Sequence, residues 1–123
     1  MRFLPKAAIL AVAAACLAWP AAAVPVTYIA SLSGPAEDPP VPSPGTGSAA
    51  VVIDTVAHTL HVKVDFADLI GTTTAAHIHG PTLVPFEGTA SVITAVPFFP
   101  GFPLGVTSGS YDQIFDLTMD SPA

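Results

Sequence analysis

The chain has 123 residues, a formal net charge of −6 and one cysteine, Cys16. Beyond the first six residues Lys63 is the single base against nine carboxylates, a net charge of −8. That balance excludes nucleic acid, which needs a basic footprint. It also excludes docking on anionic lipid, and it suits cations.

Residues 1–23 read as a cleavable secretory signal peptide. Arg2 and Lys6 form a positive start, Ala7 to Ala18 is an uncharged apolar run, and Ala21-Ala22-Ala23 offers small residues before a cut at Val24. A membrane-spanning helix needs about 20 apolar residues. Here that length is reached only by including Pro20 and Pro25, which disfavour helix. Val12-Ala13-Ala14-Ala15-Cys16 is a poor lipoprotein-type site. The expected product is secreted or periplasmic, has no membrane span after cleavage, and carries no disulfide. Residues 24–123 are then long enough for one modest β domain and too short for two.

The first predicted strand is Val26 to Leu32. Gly34 to Gly45 follows, and its five prolines rule out helix and central strand, so an extended loop is expected. Gly47 to Asp54 is the second strand, with Val51 and Ile53 on one face. In Thr59 to Phe66, Leu60, Val62, Val64 and Phe66 alternate with His61, Lys63 and Asp65, which marks one buried and one wet face. The short gap at Thr55 to Thr59 predicts a hairpin between these two strands. Ala75 to His79 and Ala90 to Ala95 read as short strands, the former stopped by Gly80-Pro81. Pro97 to Pro103 is an apolar loop whose Phe98, Phe99 and Phe102 are expected to tuck onto the core rather than form an exposed patch. Gly109 to Met119 is the last strand, and Ile114 breaks its otherwise acidic face. Short strands between Gly/Pro turns predict an all-β antiparallel sandwich or barrel.

The chemistry-bearing stretch is Ala75-Ala76-His77-Ile78-His79-Gly80-Pro81. On extended backbone His77 and His79 project to one side and Ile78 to the other. Two imidazoles so placed can begin a Zn or Cu site, although a stable site takes three or four ligands. His61, His58 and nearby carboxylates are the candidates for a third, with His61 on the wet face of its strand. The bland alternative is that each histidine fixes a turn by donating to a backbone carbonyl. No catalytic motif is present: Ser108-Gly109-Ser110 lacks the nucleophile-elbow pattern, Gly45-Thr46-Gly47 lacks a following helix, and Glu37 and Asp38 are adjacent. The expected protein is not an enzyme.

From Thr27 onward the chain resembles the CHRD domain, a module named after chordin and also found in exported microbial proteins. The resemblance rests on Ala30-Ser31-Leu32-Ser33-Gly34, on the loop from Pro39 to Ala49, and on Leu60 to Phe66. It continues through Ala75 to Pro81 and Thr107 to Tyr111. It implies an immunoglobulin-like β barrel or sandwich. By analogy with chordin, an extracellular growth-factor antagonist, it also implies a non-catalytic binding or surface-assembly role toward an unidentified extracellular or periplasmic component. The His-Ile-His strand is also similar to the copper-ligand strand of Cu/Zn superoxide dismutases, whose other ligands have no match in this chain. The alternative expectation is therefore a Cu- or Zn-binding protein using His77 and His79, redox-active if copper. Family members usually continue past the Ser-Gly-Ser-Tyr strand into an N-x-H-T-type strand and a G-G-E-I-R-G-type end. The resemblance thus implies a domain whose C-terminal strands are missing, with one more histidine among them.

Overall fold

The computed structural model describes residues 24–85 and 87–118. The signal peptide expected at residues 1–23 and the end of the last predicted strand lie outside them. Among the described residues there are four strands: β1 (Val26–Ser33), β2 (Thr46–Asp54), β3 (Thr59–Ala67) and β4 (Gly109–Asp116). They form one antiparallel sheet in the order β1-β2-β3-β4. The all-β expectation holds, and each strand lies within a few residues of its predicted span.

The β2–β3 hairpin closes with Asp54 opposite Thr59. The Asp54 carboxylate accepts from the backbone N–H of Val56 and Ala57, a local bond that turns the chain out of the strand. His58 completes the reversal in the left-handed region, at φ 52, and its carbonyl accepts from the Leu117 N–H. Between β1 and β2 the proline-rich segment starts with a single 3-10 turn, Gly34–Ala36, and then bends back without regular structure as far as Gly45. The Gly34 carbonyl accepts from both Glu37 and Val41, and a Cβ at Gly34 would lie 2.4 Å from the Val41 oxygen. Only glycine permits that approach.

Register assigns the two faces. Residues directly opposite in antiparallel pairs share a face. One face therefore carries Val26, Tyr28, Ala30 and Leu32 of β1 with Ala49, Val51 and Ile53 of β2. The same face continues through Leu60, Val62, Val64 and Phe66 of β3 to Tyr111, Gln113 and Phe115 of β4. The other face carries His61, Lys63 and Asp65 with Ser110, Asp112 and Ile114.

The segment between β3 and β4 folds over the apolar face. Its bonds run largely within itself: Thr73 N–H to the Val106 carbonyl, Gly105 N–H to the Thr73 carbonyl, and the Thr73 hydroxyl to the Pro103 carbonyl at 2.7 Å. The core is Val62, Phe99 and Tyr111, with Leu60, Val64, Ala76, Ile78, Phe102 and Phe115 packed against it. Phe99 lies 6.0 Å from Tyr111 and 5.7 Å from Phe115, ring centre to ring centre, and Phe102 lies 5.2 Å from Tyr111. Phe99 and Phe102 thus tuck onto the core, as their burial energy favours.

Ala75–His79 and Ala90–Ala95 are not strands. They contribute isolated bridges, Ala76 with Phe98 and His79 with Val92. The Ile78 N–H is taken by the Thr94 hydroxyl instead of a ladder carbonyl, and Pro97 offers no N–H at all. A regular ladder cannot propagate through such a pair of gaps.

Candidate functional site

Ile78 packs inward against the core, so its neighbours His77 and His79 face outward from the covering layer. Their ring centroids lie 5.0 Å apart with the planes tilted by 48°. His79 Nδ1 donates to the Ala90 carbonyl at 2.6 Å, and His77 Nδ1 donates more weakly to the Pro97 carbonyl at 3.4 Å. A carbonyl only accepts, so both contacts select the tautomer with the proton on Nδ1 and leave the Nε2 lone pair free. His79 is exposed and His77 half-buried. The two carbonyls belong to the ends of the 90–97 segment, so each ring also holds that segment in place.

His61 lies elsewhere. It sits on the outer face of the sheet, where its Nε2 donates to Asp112 Oδ1 at 2.6 Å. Lys63 Nζ approaches the other oxygen of Asp112 at 3.9 Å. The hydrogen bond from His61, and the charges of His61 and Lys63, hold the Asp112 carboxyl below the usual carboxylate range. His58 is in the β2–β3 turn. Among the described residues no group of three or more His, Cys, Asp or Glu is close enough to hold a metal ion. The structure thus joins His77 to His79 and keeps His61 apart from them.

Sequence reasoning missed two features. Glu37 and Asp38 line a shallow cleft together with Glu87, about 50 residues further on, and no local pattern announces that approach. The second is the sheet's open side. The covering layer sits over β3 and β4, whereas Val26, Tyr28 and Leu32 are 50%, 58% and 36% exposed although they share the core's face. On the opposite face of β1, Ile29 is 82% exposed. Among the described residues β1 is also an edge strand, so one row of its backbone N–H and C=O groups meets no ladder partner there.

A single antiparallel sheet, half covered by an irregular layer that presents a histidine pair, defines an all-β module. The CHRD domain family model matches residues 28–117, from β1 to the residue after β4, and the chain belongs to the CHRD family. No curated protein and no solved structure matches the chain.

Proposed function

We propose that this chain is an exported, non-catalytic CHRD module that binds an extracellular or periplasmic protein by adding a partner strand along β1. The observation that carries this reading is the contrast between the two sheet edges. β1, V-T-Y-I-A-S-L-S, has no charged residue and leaves its apolar side chains exposed. β4, at the opposite edge, carries Asp112 and Asp116, which discourage pairing. An extended partner would gain main-chain hydrogen bonds from the β1 edge and apolar contacts from Val26, Tyr28 and Leu32.

The test is photocrosslinking from position 28 in the exported protein, followed by titration of the crosslinked species against wild type and Tyr28→Lys. The expected result is one predominant crosslinked protein whose affinity falls at least tenfold in the variant. A second copy of this chain as the crosslinked species would assign β1 to self-assembly. Unchanged affinity in Tyr28→Lys would overturn the reading. Export itself is tested by N-terminal sequencing of the protein from the periplasm or medium, with Val24 as the expected first residue.

A second reading, binding of Cu or Zn, is favoured by the paired geometry of His77 and His79.

A further inference from the structure

We infer that His77 and His79 form a two-imidazole site for Cu(II), binding through both Nε2 atoms and leaving the other coordination positions open to solvent or to an incoming ligand. This rests on the metal-binding reading and adds the ligating atoms, the preferred ion and the open positions.

Three observations carry it. The first is ring separation. A metal about 2.05 Å from an imidazole nitrogen lies about 3.2 Å from that ring's centroid. Two rings on one ion then have centroids about 4.5 Å apart at a right angle and about 5.2 Å apart at the tetrahedral angle. The observed 5.0 Å falls between these limits. The second is the tautomer. Ligating histidines donate their other ring N–H to a carbonyl or carboxylate, which fixes the ring and raises its basicity. Both rings already do so, to the Ala90 and Pro97 carbonyls. The third is access. The histidines face away from the core, which Ile78 occupies from the same short segment.

The donor set selects the ion. Two neutral imidazoles with no thiolate suit borderline metals, and at a given nitrogen site Cu(II) binds more tightly than Zn(II) or Ni(II). Among the described residues no third His, Cys, Asp or Glu joins the pair. Water therefore completes the coordination shell, as it does at metal sites that exchange ligands.

The same contacts give each ring a fold-supporting role, because His79 holds Ala90 and His77 holds Pro97. The two roles separate on metal dependence. A clamp alone predicts no response to added metal, whereas a site predicts stabilisation by mass action.

The experiment uses the mature exported protein and CuSO4 or ZnSO4 alone. Electron paramagnetic resonance of the 1:1 Cu(II) form should show coupling to two imidazole nitrogens. Nitrogen-15 histidine spectra of the Zn(II) form should place the shifted resonances at Nε2 of His77 and His79. Competition titration should give Cu(II) at least a tenfold lower Kd than Zn(II). His77→Gln and His79→Gln should each lose one nitrogen coupling, and His61→Gln should lose none. The spectra of the unsubstituted protein stand even if a variant folds poorly. Copper that binds with full nitrogen coupling in the His77→Gln/His79→Gln double variant would refute this site while leaving metal binding by the protein intact. Ligation at Nδ1 would likewise refute it. No saturable copper binding to the unsubstituted protein would remove both the site and the metal-binding reading.

Discussion

Val62 is the test of the core. It is 1% exposed and belongs to one buried cluster with Phe99 and Tyr111. Val62→Ala removes two buried carbon groups, worth about 1.6 kcal/mol in transfer free energy. If the surrounding rings do not collapse, a cavity of about 50 Å³ adds about 1.2 kcal/mol. The expected loss is therefore about 1.6–2.8 kcal/mol. For a domain of this size each kcal/mol lowers Tm by about 4–8 °C, so a fall on the order of 10 °C is expected. The control is Val26→Ala, the same chemical change on the same face of the sheet but at a half-exposed position, where about 0.5 kcal/mol or less is expected. Urea unfolding followed by circular dichroism, with calorimetry alongside, reads both, and the urea slope should stay constant across the variants. A loss at Val62 under 0.5 kcal/mol, or an equal loss at Val26, would refute the placement of the core under β3–β4 alone.

Three further outcomes are expected. The Tyr111 hydroxyl donates to the Pro100 carbonyl at 2.8 Å, and burial raises its pKa above the ordinary tyrosine value. Tyr111→Phe should cost about 1 kcal/mol near neutral pH. Stability in the wild type should also fall as pH rises past about 10 and through the raised pKa, and the variant should lose that part of the alkaline limb in pH-dependent melting. Asp112 is held below the carboxylate range chiefly by its bond from His61, so its contribution is present above about pH 4 and disappears as pH falls through the lowered value. Asp112→Asn should flatten that part of the acid limb. Asp116, lowered by the hydroxyl and backbone N–H of Thr118, should keep its own part. Native-state hydrogen exchange should show faster exchange for β1 amides than for β3 amides, and equal protection would contradict an uncovered β1.

Period-two alternation is a local property, and that is why the strands were legible. In β3 every second residue from Leu60 to Phe66 is apolar, and Val62 is the most buried hydrophobic side chain among the described residues. Phe99 and Phe102 were readable as core because aromatic burial dominates a loop with so few polar side chains. What failed to show were facts set by the path of the covering layer. Ala75–His79 has strand composition, yet its bonding depends on Thr94 and Pro97, which lie across a loop. The His61–Asp112 pair follows from the register that places Lys63 opposite Asp112, and nothing local to either residue specifies it. The i, i+2 spacing of His77 and His79 was legible. The carbonyls that fix their tautomers were not, because Ala90 and Pro97 lie 11 and 20 residues further along the chain.

The same distinction explains why one apolar face has a covered half and an open half. On the covered half, side chains and layer stabilise each other: Phe99 donates its N–H to the Ala76 carbonyl while its ring packs between Tyr111 and Phe115. On the open half, β1 is attached through its ladder with β2, with every residue from Val26 to Leu32 exposed. Its register is set by that ladder, which runs from Val26 opposite Ile53 to Ser33 opposite Thr46. β1 therefore combines a defined register with little side-chain packing to hold it. A partner strand that covered Val26, Tyr28 and Leu32 would supply the missing packing and would be bound most tightly in the one alignment that does so. Binding and local folding would then share the same apolar contacts, so a substitution that weakens the partner at Tyr28 should leave the unbound domain's stability nearly unchanged.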